Sequence, residues 1–132
     1  MTLQGVLKFK TWSNVFYLAP LALALYWSLW PTVILTCAVI FFGVLYHLSN
    51  EKEFGLPDSI SAYLLIFSNL VLCYLGGFFA PYFWIAFLFL ILAFFYHFYL
   101  QNKGAYGLNH GLWHLYGSLI TVFCIFTFVS GR

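Results

Sequence analysis

Two histidines stand four residues apart in the segment NHGLWHLYGS. Residues i and i+4 of a helix lie on the same side, one turn apart, so His110 and His114 can offer two imidazoles to one ligand. A third imidazole from a neighbouring helix would give a set that is typical of zinc sites. The same spacing also arises by chance at aromatic interfaces, so the pair alone leaves both interpretations open.

Apolar residues dominate the chain, so the medium around the protein that carries these histidines is predicted to be lipid. Of its 132 residues, 64% are hydrophobic, 24% are aromatic and only 6% are charged. A soluble domain of this size could not bury so much apolar surface, because much of a small domain must face water. The composition predicts an integral membrane protein, and a net charge of +2 does not indicate nucleic-acid binding.

The hydropathy pattern predicts an all-α transmembrane helix bundle that forms a single domain over residues 1–132. A helix needs roughly 20 apolar residues to cross a bilayer, and turn residues separate five such segments. The predicted spans are 15–30, 32–48, 59–76, 79–100 and 111–129. Ser13 or Asn14 is expected to cap the first span, and the three cysteines are interpreted as small apolar fillers within their spans.

The basic residues predict the orientation of the bundle. With the N-terminus in the cytoplasm, Lys8, Lys10, Lys52 and Lys103 fall inside and only Arg132 falls outside. Cytoplasmic loops carry an excess of lysine and arginine. The sequence therefore predicts a cytoplasmic N-terminus and an external C-terminus, without indicating which membrane contains the protein.

In this topology the titratable side chains gather at one membrane level. His47 ends the second span, Asp58 opens the third, His97 closes the fourth, and His110 and His114 open the fifth. Ionisable groups at membrane depth are costly and usually face the bundle interior. We therefore expect one polar site near the cytoplasmic face. Taken singly, His47 and His97 also fit an interfacial aromatic belt, and Asp58 fits the first turn of a helix.

The ordered set GVLYH, then Asp58, then HGLWH resembles the CREST superfamily of membrane hydrolases. That group includes alkaline ceramidases, the progestin and adiponectin receptor family, and myomaker-like proteins. Its motif is a serine four residues before a histidine, an aspartate near the start of the third helix, and HxxxH on the last helix. The resemblance implies that His47, His110 and His114 bind Zn²⁺, and that Asp58 acts as general base or hydrogen-bonds the attacking water.

Two features depart from the family pattern. Gly43 occupies the position of the family serine, so a hydroxyl that could assist the reacting oxygen is missing, and Ser118 does not occupy the motif position. The usual architecture has seven helices, whereas five spans are predicted here. Losing two helices before the last span keeps the histidines on one face of the membrane. His97 and Ser118 remain candidates for an outer partner or an alternative ligand.

The sequence favours a ceramidase-like, zinc-dependent intramembrane hydrolase of a lipid amide or ester, with metal-activated water and Asp58 as the catalytic proton acceptor. The alternative is a non-catalytic protein in which zinc staples the helices, for lipid binding or membrane remodelling, and Gly43 favours it. An open coordination position would indicate an enzyme, and four protein ligands would indicate a structural site. In both cases a membrane lipid is the expected partner, and a homo-oligomer is one arrangement that would close the small bundle.

Overall fold

The computed structural model describes residues 12–49, 52–100 and 106–132. The described residues form helices and no β-strand, which confirms the all-α prediction. The predicted orientation depends in part on three lysines that lie outside the described residues, namely Lys8, Lys10 and Lys103.

In chain order the elements are a 3₁₀ turn (Ser13–Tyr17), α1 (Leu18–Tyr26), α2 (Trp30–Ser49), a second 3₁₀ turn (Lys52–Phe54), α3 (Gly55–Leu75), α4 (Tyr82–Phe95), a π-helical turn (Tyr96–Leu100) and α5 (Tyr106–Gly131).

Four helical segments are long and apolar enough to cross a membrane, as expected of an integral membrane protein. They are Trp30–Ser49, Gly55–Leu75, Tyr82–Leu100 and His110–Gly131, with 19 to 22 residues each. At about 1.5 Å per residue they span about 28–33 Å, close to the thickness of the hydrocarbon core. The first predicted span, 15–30, is a shorter apolar helix, Ser13–Tyr26.

The ends of α1 and α3 share one hydrogen-bond motif. After α3, the N–H of Phe78 donates to the Cys73 carbonyl at 2.8 Å, and the N–H of Gly77 donates to the Tyr74 carbonyl at 3.0 Å. This Schellman motif needs a left-handed residue, which Gly77 supplies with a φ of 63°. After α1 the same position is taken by Ser28, with a φ of 56°. The first helix therefore stops short of its predicted boundary.

The last helix, α5, lies at the centre of the bundle. It packs against α1, α3, α4 and the first 3₁₀ turn, while α2 packs against α1 and α3. Although α3 and α4 are consecutive, within the described part of the chain both pack against α5, and α3 also packs against α2, while few contacts join α3 to α4. A groove therefore remains between α3 and α4, with α5 as its floor.

Small and polar residues bring α3 close to α5. A Cβ atom at Gly76 would collide with the backbone of α5. The amide nitrogen of Asn69 donates a hydrogen bond to the Thr121 hydroxyl at 3.0 Å, and the Sγ atoms of Cys73 and Cys124 are 3.2 Å apart. Close backbone approach and interhelical hydrogen bonds are the main means by which helices associate in lipid. These contacts fix α5 against α3 and so position the first turns of α5.

Candidate metal centre

Three histidines from two helices meet in the interior of the bundle. One ligand-capable nitrogen from each of His47, His110 and His114 lies within 4.8 Å of the other two. The Nε2 atoms of His47 and His110 are 3.0 Å apart. All three side chains are buried, with exposures of 6%, 8% and 5%. The structure therefore contains a buried histidine group that could hold a metal ion.

The helix ends explain why these imidazoles meet. His47 lies in the last turn of α2, and α5 begins at the same end of the bundle, so that His110 and His114 occupy its first turns. One helical turn separates the two, and their ring centroids are 4.7 Å apart. The expected meeting of one histidine from the second helix with two from the last is present.

The spacing of the nitrogens fits a tetrahedral metal ion. Zinc–nitrogen bonds are about 2.0–2.1 Å long, so two imidazole nitrogens on one tetrahedral ion are about 3.3 Å apart. The 3.0 Å between the Nε2 atoms of His47 and His110 is close to that separation. Imidazole donors suit zinc, copper, iron and nickel, whereas magnesium and calcium prefer oxygen. A donor set of three imidazoles would therefore suit a transition-metal ion better than magnesium or calcium.

Asp58 lies at the same end of the bundle but outside the histidine group. It is half-buried in the first turn of α3, and the group that could hold a metal comprises the three histidines only, among the described residues. Asp58 interacts electrostatically with Tyr17, whose ring packs edge-on against His114 with centroids 6.2 Å apart. Tyr17 therefore packs against His114 and lies within electrostatic range of Asp58.

The other two candidate partners, His97 and Ser118, also lie outside the group. His97 sits on the π-helical turn that follows α4, and its ring stacks on Trp113 with centroids 4.4 Å apart. Ser118 is buried, and its hydroxyl donates to the Leu115 carbonyl of its own helix at 2.9 Å. Neither contact joins these residues to the metal-ligating nitrogens.

The glycine at the family serine position accommodates an asparagine from another helix. A Cβ atom built on Gly43 would lie 2.5 Å from Oδ1 of Asn14. Gly43 is one turn before His47 on α2, and Asn14 is buried at 2% exposure. The side chain of Asn14 therefore lies where a side chain at position 43 would otherwise project.

The segment before α1 supplies polar groups that the sequence analysis assigned to a helix cap. Neither Ser13 nor Asn14 caps the segment, because the N-cap position is Trp12 and no side-chain cap bond forms there. Instead, Oγ of Ser13 lies 2.7 Å from Nδ1 of His114, and both residues are buried. The only sequence signal was two adjacent polar residues at the start of an apolar helix, and that pattern is also typical of caps.

A lateral cavity leads from the bundle surface toward this site. About 400 Å³ of space lies between α3 and α4 over the floor of α5. It opens sideways, because Phe67, Leu70 and Phe87 on its rim are exposed. A narrow cavity of about 20 Å³ shares Asn69 with it and reaches Tyr17, beside His114. The two cavities therefore lie next to each other along α5, the larger one open to the outer surface and the smaller one reaching Tyr17.

The fold and the site together define a class of protein: a helical membrane protein with a buried three-histidine group that could hold a metal ion. Comparison of the chain with protein-family models, with curated proteins and with solved structures finds no match. The likeness to CREST hydrolases stays a prediction from the motif, and the geometry of the site carries the functional interpretation.

Proposed function

We propose that this protein is a zinc-dependent intramembrane hydrolase that cleaves a lipid amide or ester, similar to ceramidases. One observation carries the proposal. The buried group brings together three histidine nitrogens, and neither Asp58 nor His97 joins it within the described residues. Three protein ligands leave the fourth tetrahedral position for a reactant, which is the pattern of catalytic rather than structural zinc.

The residues of the chain have separate roles in this proposal. His47, His110 and His114 hold the ion inside the bundle, where water is scarce. When bound, zinc supplies a Lewis acid and makes water nucleophilic near neutral pH. The carboxylate of Asp58, at the same end of the bundle, takes the proton of the attacking water and returns it to the leaving amine or alcohol. This role is supported by Tyr17, which lies within electrostatic range of Asp58 and packs against His114.

The lateral cavity supports a lipid as the substrate. Its walls are almost entirely apolar, and it opens where acyl chains of the bilayer would lie. An acyl chain in the groove between α3 and α4 would lie beside the small cavity that Tyr17 lines. The scissile carbonyl would then approach the histidines, while the chain stays in an apolar environment.

The proposed orientation places the site just beneath the cytoplasmic surface. The described structure brings the end of α2 and the start of α5 to one level, and the lysine distribution in the sequence assigns that level to the cytoplasm. We further propose that a second copy of the chain can close the open side of the groove, because a five-helix bundle covers less of a lipid than a larger one.

The test is release of fatty acid by the purified protein from a panel of N-acyl and O-acyl lipids. We expect release by zinc-loaded protein, loss after chelation and recovery on adding zinc. Asp58→Asn should abolish release and still bind zinc. His97→Phe, which keeps a ring against Trp113, should retain activity and serves as the matched control. Zinc-loaded protein that cleaves neither the amides nor the esters would contradict the hydrolase proposal.

A specific observation favours the non-catalytic alternative, a zinc-stapled protein for lipid binding or membrane remodelling. Position 43 carries no hydroxyl, and Asn14 fills the space beside it. A structural site does not need that hydroxyl. The alternative predicts zinc that survives long dialysis against a chelator, a large drop in melting temperature once the zinc is removed, and no lipid cleavage. The hydrolase proposal instead predicts that the apo bundle stays folded.

A further inference from the structure

The contact between Ser13 and His114 joins the start of the described chain to its last helix. Oγ of Ser13 is 2.7 Å from Nδ1 of His114, across 101 residues of sequence. Ser13 is fully buried and His114 is 5% exposed. A buried polar contact of this kind is energetically costly to break, because each group would be left without its partner in an apolar interior.

A second residue of the same 3₁₀ turn holds the same ring. Tyr17 lies about one turn after Ser13 and packs edge-on against His114. Its hydroxyl fits against Gly117 of α5, where a Cβ atom would collide with it. The first 3₁₀ turn therefore contacts the ring of His114 twice. Ser13 lies within hydrogen-bond distance of Nδ1, and the ring of Tyr17 packs edge-on against the imidazole.

The partner of Nδ1 determines what His114 can offer to an ion. A neutral imidazole has one N–H donor and one acceptor nitrogen. If Nε2 binds a metal ion, Nδ1 carries the hydrogen and needs an acceptor, which a serine hydroxyl oxygen provides. Such outer partners orient metal-binding histidines, and their loss typically weakens metal binding about ten- to hundredfold.

We propose that Ser13 is a positioning residue of the histidine group: it accepts a hydrogen bond from Nδ1 of His114 and so directs Nε2 toward His47 and His110. This inference rests on the metal site of the proposed function. It goes beyond that function by adding a residue from the first 3₁₀ turn, and it holds for a catalytic or a structural site alike.

The experiment is a titration of the full-length apo protein in detergent with Co²⁺, followed by competition with Zn²⁺. We expect Ser13→Ala to weaken binding about ten- to hundredfold at unchanged stoichiometry. Ser13→Thr, which keeps a hydroxyl, should restore most of the affinity. Ser118→Ala is the matched control, since the hydroxyl of that buried serine donates to the backbone of its own helix, and this variant should bind metal as the wild type does. Wild-type affinity in Ser13→Ala would overturn the proposal.

A measurement on the wild-type protein covers the case in which Ser13→Ala does not fold. The measurement is NMR of the protein with ¹⁵N-labelled histidine and with ¹¹³Cd²⁺ as the bound ion. We expect a spin–spin coupling between cadmium and Nε2 of His114, and a hydrogen on Nδ1 of the same ring. Coupling to Nδ1 would overturn the proposal. A wild-type chain that binds no metal would overturn the metal site and this inference together. If His114→Ala loses the metal but Ser13→Ala binds it with full affinity, the role of Ser13 is overturned and the metal site is not.

Discussion

At the scale of single residues, the site combines groups that the sequence separates widely. The histidines could be predicted, because the i,i+4 spacing fixes His110 and His114 on one side of α5, and antiparallel helices bring His47 to the same end. Ser13 and Asn14 could not be assigned to the site. Their contacts are long-range, and two polar residues at the start of an apolar helix are equally typical of a cap.

Placing a serine at position 43, where the CREST motif has one, should be unfavourable in this chain. Gly43→Ser places a Cβ atom 2.5 Å from Oδ1 of Asn14, and overpacking of this kind costs about 1–3 kcal/mol. We expect Gly43→Ser to lower the free energy of unfolding in detergent by that amount. Asn14→Ala in the same chain should recover much of the loss. If the loss of unfolding free energy in the double variant equals the sum of the losses in the two single variants, the packing of Asn14 against Gly43 is wrong.

At the scale of helices, hydropathy predicted their number and order, and local turn chemistry explains the errors at their ends. Gly77 after α3 is a familiar helix stop, and the third span was predicted to end close to it. Ser28 adopts the same left-handed conformation after α1, which serine seldom does, so the first helix was predicted too long. The groove between α3 and α4 could not be predicted, since consecutive helices usually pack against each other.

The packing of α3 on α5 can be tested through its two buried thiols. Cys73 and Cys124 were expected to be fillers in separate helices, and their Sγ atoms are 3.2 Å apart, whereas Cys37 is exposed on α2. A membrane-permeant thiol oxidant should therefore link Cys73 to Cys124 within one chain, seen by mass spectrometry of peptides. Cys37→Ser should leave this link unchanged. Linkage of Cys37 to either thiol in place of the expected pair would contradict the helix arrangement.

At the scale of the whole molecule, the proposal requires the histidine end of the bundle to face the cytoplasm. The described helices place that end at the α2–α3 connection, and the lysine distribution of the sequence predicts that this connection is cytoplasmic. A reporter inserted after Ser49 should therefore be cytoplasmic, and a C-terminal reporter should be external. A reporter at the N-terminus should be cytoplasmic if Ser13–Tyr26 crosses despite its shorter length. An external reporter after Ser49 would reverse the orientation.

The most direct test of the central claim is the zinc content of the purified protein, measured per chain and combined with X-ray absorption at the zinc edge. We predict close to one zinc per chain with three imidazole ligands, lost in His47→Ala, His110→Ala and His114→Ala and kept in His97→Phe. A folded wild-type protein that binds no transition metal, or one that keeps its metal when His110 and His114 are both replaced, would contradict it.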